Sequence, residues 1–531
     1  MKYLLAIIIF LAAILRLYQL GLTPSAFTHD ETALGYMGFS LINSPFDANG
    51  INILRAVNAF GNWTLPMYPV STIFPIMFFG FTEFSIRLPS AISGIAGTIL
   101  IYLIAEIFFK KKSIALIAAL FFAISPWSIY FSRIAYETNL ATTLFLGGLY
   151  SFLLYFKNKN LKLLFFGVLL FGLAQFTYLV FVFFIPCFVL VLLFINKANL
   201  KVNKLTVSAG VLLMVFTITS LVLMISGSLN HPELKVLNAE NVIYNRVDLM
   251  RSDHTSQTDS LKRILHTKYL GVPYHFAQSY LASFSPIFLF DKGGAKVLNN
   301  LGYFGNFYLF DSILLVAGIA GLLWNREKII YIILAWLLLG PIPSAITSDA
   351  PNSARLFVIL PPLILIAAYG AYTIFSLLKS RTWLLRLAGL SLISLYILNV
   401  IFFMEGYFLH INTLKAQDLH YGYREAALLV KNKYSNHNVV MIGPQDFPHL
   451  SFLFYNQYDP KKFQQEVIYN TNYKGLITVS KFGKYTFVDK IDRKKLLPNT
   501  IYIDKVLLGD TERIIYLPTG KPLFTYFTKE D

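Results

Sequence analysis

Apolar runs of roughly helix-spanning length recur along the chain, separated alternately by short basic linkers and by longer stretches of mixed polarity. About twenty helical residues cross a hydrocarbon core of ~30 Å, so such runs predict membrane-crossing helices. The runs are Leu4 to Leu20, Leu88 to Phe109, Ile114 to Phe131, Leu140 to Phe156, Leu161 to Ile195, Leu205 to Ser226, Ser312 to Trp324, Ile329 to Ile342, Leu356 to Leu378 and Leu387 to Leu409. Leu161 to Ile195 is too long for one crossing, and a break near Gln175-Phe176-Thr177-Tyr178 makes it two short helices. The expected total is about eleven crossings.

The linkers carry the sign of the topology. Lys110 to Lys112, Lys157 to Lys162, Lys197 to Lys204, Arg326 to Lys328 and Lys379 to Arg386 hold fourteen basic residues against one acid, Glu327. Basic linkers mark the cytoplasmic side. The N-terminus is therefore expected inside, in a plasma (inner) membrane, with the longer segments outside. Lys2 precedes an apolar run that no small-residue cleavage site follows, which reads as a retained helix and not a removed signal.

The expected outer segments include 21–87 and 227–311. Residues 1–409 form the expected membrane part, and from 410 to 531 the composition turns mixed. A helix at Tyr423 to Tyr434 is expected there, with strands at Val439 to Ile442, Gly475 to Val479, Tyr485 to Val488, Thr500 to Val506 and Arg513 to Leu517. This predicts a small soluble α/β domain outside the membrane, large enough for its own core.

Composition agrees with the pattern: 56% of the 531 residues are hydrophobic and only 14% charged. The formal charge of +17 is spread over the linkers and forms no single patch, which argues against nucleic acid as a partner. Cys187 is the single cysteine and lies in an apolar run, so no disulfide framework or cysteine metal site is expected.

Chemistry is expected on one face. All nine histidines and nearly every acid fall in the outer segments or the tail. Four polar sites interrupt them: His29-Asp30-Glu31; Ser132-Arg133 to Glu137; Gln175 to Tyr178; and Ser348 to Arg355. Carboxylates that activate a hydroxyl, with arginines that neutralise a phosphate, are the parts needed to move a sugar off a lipid phosphate. Each site also has a plain structural reading: an i,i+4 pair for Arg133 and Glu137, an interfacial anchor for Tyr178, a snorkelling cation for Arg355.

The residues also carry a resemblance. Arg16-Leu17-Tyr18-Gln19-Leu20-Gly21, Thr28-His29-Asp30-Glu31 and Arg87-Leu88-Pro89-Ser90 resemble the opening of glycosyltransferase family 39 membrane proteins, which include protein O-mannosyltransferases and the lipid A aminoarabinose transferase. Ser132-Arg133 with Glu137, Pro273-Tyr274-His275-Phe276, Gly302-Tyr303 and Ser353-Ala354-Arg355 extend it over roughly Leu4 to Leu409. The resemblance implies a C-type glycosyltransferase fold and a polyprenyl-phosphate sugar donor used at the outer face. It also implies Asp30 as catalytic base, Glu31 as orienter of acceptor or loop, and Glu137 in a supporting catalytic place. Arg133 and Arg355, with Tyr178, would face the donor phosphate, while His29 and His275 would make loop contacts.

The expected acceptor is a hydroxyl on a protein, lipid or envelope glycan. No metal ligand set is expected and a divalent cation is left open; His231, His254 and His266 read as loop residues. Two other classes stay open at this stage: a transporter or flippase of a lipid-linked saccharide, and an envelope polymer ligase with a pyrophosphate-linked donor.

Overall fold

The computed structural model of the protein describes residues 2–43, 57–59, 62–197, 202–228, 247–250, 252, 266–327, 329–379, 383–445, 447–471, 477–505 and 513–530. His231 and His254 lie outside the described residues. The membrane part is helical: α1 (Lys2–Leu17), α2 (His29–Asn43), a short hairpin of β1 (Val57–Ala59) and β2 (Asn62–Thr64), α3 (Met67–Phe79) and α4 (Glu83–Phe109). Then come α5 (Lys112–Ile124), α6 (Pro126–Arg133), α7 (Glu137–Asn158), α8 (Leu161–Gln175), α9 (Leu179–Ile195) and α10 (Lys204–Ser228). After α11 (Lys268–Ala282) follow α12 (Asp311–Trp324), α13 (Ile330–Leu339), α14 (Leu360–Lys379) and α15 (Trp383–Glu405).

Every expected crossing is helical, and the break inside 161–195 falls at Phe176 to Tyr178. Five helices among the described residues are long and apolar enough to cross a membrane: 83–109, 137–158, 204–225, 355–376 and 389–414. The α5–α6 pair, bent by 53° at Ser125-Pro126, makes a sixth if taken as one span. The other apolar helices are shorter, such as α8 with 15 residues and α12 with 14.

One difference lies in the first outer segment. Residues 67–79, expected as loop, form α3, whose Phe74, Met77, Phe78 and Phe79 are exposed. Its 13 residues are too few to span a bilayer, so a length criterion passes over them.

The tail folds as expected in kind, with more elements. Seven strands form one sheet in the order β4-β5-β6-β3-β7-β9-β8, where β3 (Asn438–Ile442) runs parallel to β6 (Tyr485–Val488) and β7 (Thr500–Asp504). The remaining pairings are antiparallel: β4 (Ile468–Thr471) with β5 (Ile477–Phe482), β5 with β6, and β9 (Pro522–Phe527) with both β7 and β8 (Ile514–Tyr516). Helices α16 (Tyr421–Lys433), α17 (Pro448–Tyr455) and α18 (Pro460–Glu466) accompany it.

The tail has a small apolar cluster of its own at Ile442, Tyr502 and Phe527, and its larger one is continuous with the first outer segment. One apolar cluster runs from Phe27, Leu34, Tyr36, Phe81 and Ile86 into Ala426, Phe452, Phe454, Phe463 and Phe482. Phe454 sits edge-on to Phe27 at 5.1 Å and tilted against Phe81 at 4.3 Å, and the Tyr36 hydroxyl donates to the Tyr458 carbonyl at 3.0 Å. The sheet region and α2 are thus packed as one body.

Candidate active site

Between the end of α1 and the start of α2 the chain forms no helix, so its carbonyls need donors from elsewhere. Of three fully buried arginines, Arg133 and Arg87 supply them, while Arg16 ties α1 to the bend between α5 and α6. Arg16 donates to the carbonyls of Ala12, Phe122 and Ala123 and to the hydroxyls of Ser128 and Ser132. Gly94 makes room for it: a Cβ there would lie 2.5 Å from Arg16 Nε and 2.1 Å from Ser132 Oγ. Arg133 donates to the carbonyls of Leu15, Gln19 and Thr23, and its guanidinium lies over Phe408 at 4.9 Å. Arg87 donates to the carbonyls of Leu20, Pro24 and Ala26.

Arg87 also closes an ion pair with Glu31, Nε to Oε1 at 2.9 Å, with both side chains fully buried. Glu31 Oε1 further accepts from the Ala135 backbone N–H at 2.8 Å. Its Oε2 accepts from the Thr28 N–H at 3.1 Å, while Thr28 Oγ1 accepts from the Glu31 N–H at 3.1 Å. Thr28 and Glu31 are therefore a reciprocal capping box that starts α2. Glu31 orients the loop; its carboxylate is spent on Arg87 and on the backbone N–H groups of Thr28 and Ala135.

Asp30, one residue away, faces the other way. It is 26% exposed and pairs with His29, Nε2 to Oδ1 at 3.3 Å. Tyr136, at the start of α7, is the hub that shows what Asp30 meets: the charges of Asp30, Glu137 and Arg355 and the phenol of Tyr178 all act on its phenol. The Tyr136 and Tyr178 rings stand nearly perpendicular at 6.4 Å, and Asp30 also acts on the half-buried Glu137 carboxyl. Two carboxyl groups, two phenols and one guanidinium, drawn from four separate stretches of chain, thus share one neighbourhood.

Arg355 reaches it because the loop before α14 is lashed down. Asn352 Oδ1 accepts from the backbone N–H groups of Ala354 and Arg355, Trp127 Nε1 donates to the Ser353 carbonyl, and Thr138 Oγ1 donates to the Ala354 carbonyl. Arg355 is paired with Asp349 and donates to Thr347 Oγ1 at 3.1 Å. Burial pushes the Asp349 carboxyl up, but Arg355 and the hydrogen bonds of Asn352 and Thr347 outweigh it and hold Asp349 below its ordinary value.

The expected residues therefore separate. Asp30, Glu137, Tyr178 and Arg355 are brought together. Arg133, expected to face a phosphate, turns instead into the protein, where the carbonyls of Leu15, Gln19 and Thr23 converge on its guanidinium. His275 lies on α11, at 3.5 Å from Ser279, and that helix rests on Ile342–Ala345; its described contacts are there. His29 stacks against two rings from the tail, His420 at 5.4 Å and Phe447 at 5.7 Å. His420 was not singled out by the sequence, since nothing local sets it apart from other tail histidines. Among the described residues no group of three His, Cys, Asp or Glu side chains is placed to hold a metal ion.

Two cavities lie among the described residues, one of them beside His420. One, of about 300 Å³, lies between Val297-Leu298 and the tail and is lined in part by His420. The other, of about 420 Å³, is an apolar groove between α5, α12, α14 and α15.

Comparison with known proteins places these features. Residues 66–225 match the family model described as dolichyl-phosphate-mannose-protein mannosyltransferase, a stretch that contains Arg87, Arg133, Glu137 and Tyr178. No curated relative matches the chain by sequence. Among solved structures, ArnT from Cupriavidus metallidurans in the apo state is 11% identical with a TM-score of 0.50, covering 100% of this chain and 98% of that one. The same protein bound to undecaprenyl phosphate is 12% identical with a TM-score of 0.50, covering 98% and 97%. The archaeal oligosaccharyltransferase AglB from Archaeoglobus fulgidus, in complex with an inhibitory peptide and a dolichol-phosphate, is 13% identical with a TM-score of 0.46; the match covers 86% of this chain and 63% of that one. The resemblance to glycosyltransferase family 39 is thus matched over 66–225, and the fold of the chain is the C-type glycosyltransferase fold that it shares with ArnT.

Proposed function

We propose that the chain is an inverting glycosyltransferase that moves a sugar from a polyprenyl-phosphate carrier to a hydroxyl acceptor at the outer face of the membrane. The observation that carries this reading is the meeting of Asp30, Glu137 and Arg355 around Tyr136. Asp30, partly exposed beside a buried scaffold, takes the acceptor hydroxyl proton as the acceptor oxygen attacks the anomeric carbon. The bond from that carbon to the phosphate oxygen breaks, and the phosphate leaves with the electron pair, neutralised by Arg355. Glu137, beside Asp30, is the supporting carboxyl of the pocket. A single displacement inverts the anomeric centre.

The carrier reading draws on the undecaprenyl phosphate bound to ArnT and on the dolichyl-phosphate-mannose named by the family model. The helix that follows Arg355 lines the apolar groove with Ala371, Ile374 and Phe375. That is about 24 Å further along at 1.5 Å per residue, a distance a long prenyl tail spans.

The test is turnover in detergent with labelled undecaprenyl-phosphate mannose and candidate acceptors. Asp30→Asn is expected to lower transfer by about 10² to 10⁴-fold while the protein still binds undecaprenyl phosphate. Wild-type turnover by Asp30→Asn would remove Asp30 as base. Turnover without a sealed compartment would also exclude a pure transporter.

A further inference from the structure

The 300 Å³ cavity lies where the membrane part meets the tail, with Leu298 on one wall and Asp418, His420, Tyr423, Gln445, Lys505 and Phe524 on the other. We propose that this cleft is the acceptor subsite and that it holds a saccharide, so that the hydroxyl glycosylated at Asp30 belongs to a glycan. The proposal rests on the glycosyltransferase reading above and names its acceptor.

Three observations carry it. The first is position. His420 lines the cleft and also stacks on His29, which pairs with Asp30, so the cleft and the proposed base are one imidazole pair apart. The second is chemistry. A carboxylate, an amide, an imidazole and an ammonium line it, donors and acceptors suited to a ring of hydroxyls. The buried Phe524 ring lies 5.4 Å from Tyr423, supplying aromatic faces of the kind that the C–H face of a pyranose covers. The lining is too polar for an acyl chain. It offers no free strand edge for an extended peptide either: β9, which contributes Phe524, is already paired with β7 on one side and β8 on the other.

The third is rigidity. The Tyr423 hydroxyl donates to the Gln445 carbonyl at 2.7 Å and accepts from the Gln445 N–H at 2.8 Å. Across the cleft, buried Lys415 donates to the Val297 carbonyl at 3.0 Å, tying the opposite wall to the tail. His420 itself holds φ at 57°, a left-handed conformation that costs a non-glycine residue of order 1–2 kcal/mol. Glycine would remove that cost and the imidazole together.

The experiment is saturation-transfer NMR on the full chain in detergent. Methyl mannoside, methyl N-acetylglucosaminide and a Ser/Thr-rich peptide are the probes, with undecaprenyl phosphate binding as the control. At least one saccharide is expected to show transfer and the peptide none. The exposed-side-chain double variant Lys505→Ala/Gln445→Ala and the plug Leu298→Trp should each weaken saccharide binding about tenfold or more with undecaprenyl phosphate binding kept. His420→Gly should lose saccharide binding with an unchanged or raised Tm, an outcome a purely structural histidine would not give. Asp30→Asn should keep saccharide binding, so failure of the base assignment and failure of the subsite are read separately. No transfer to either saccharide, transfer to the peptide instead, or cleft variants that bind as wild type would each overturn the proposal.

Discussion

Two neighbours in sequence, Asp30 and Glu31, divide the work by burial alone. Glu31 is sealed between Arg87 and backbone N–H groups, where removing one partner strands a charge; Glu31→Gln or Arg87→Ala should cost about 3–5 kcal/mol. The expected readout is a lower Tm. Asp30→Asn, at a partly exposed carboxylate, should leave Tm near wild type and remove turnover. The arginines divide in the same way. Arg355→Ala should raise the donor KM with little loss of stability. Arg133→Ala should leave the carbonyls of Leu15 and Thr23 without their guanidinium donor, at about 1–3 kcal/mol for each one that water does not reach, while that of Gln19 keeps the N–H groups of Leu22 and Thr23. A donor KM that rises for Arg133→Ala at unchanged Tm would reverse that assignment. The acidic pair and the Arg355 loop were legible in the sequence because charges beside apolar runs are rare. The fate of Arg133 was not, since its partners lie up to 118 positions away and are backbone atoms, which carry no side-chain signature.

At the scale of elements, α2 is the one to perturb. Its start is set by the Thr28–Glu31 box, a T-x-x-E signal readable from sequence as a helix start, although the pair reads equally as chemistry. Its far face is set by α17, which no periodicity could announce because it arrives from the tail. Phe454→Ala should cost about 3–5 kcal/mol by emptying the space against Phe27 and Phe81. It should also lower kcat, since α2 carries Asp30. The same α17 holds His449, whose pKa burial pushes down to about 3. The unfolded chain then takes up a proton that the folded one refuses. Stability contributed here is full above about pH 6.5 and falls by about 1.4 kcal/mol per pH unit toward pH 3. His449→Leu should flatten that slope in pH-dependent melting curves; an equally steep slope would place the titration elsewhere.

For the molecule as a whole, length and apolar content were enough to find the expected crossings but not α3, and β-rich runs found five of the tail's strands but not β4 or β9. The relation between the two halves was not legible. A composition change near residue 410 suggests a boundary, yet the apolar cluster crosses it without a break. Composition reports what each stretch is made of, and packing decides what it is made against. The membrane part expressed without 410–531 should insert but show no transfer and no cooperative melting of α2; full turnover by that fragment would show the tail to be an accessory.

The bond between Tyr36 and Tyr458 joins positions 422 apart in the chain. At synthesis rates of about 5–20 residues per second, the first tyrosine leaves the ribosome roughly 20–80 s before the second exists. During that interval α2, which bears Asp30, sits without the apolar cover that the tail supplies. The final packing of α2 is therefore reached late, once the sheet region has been translated and can close over it.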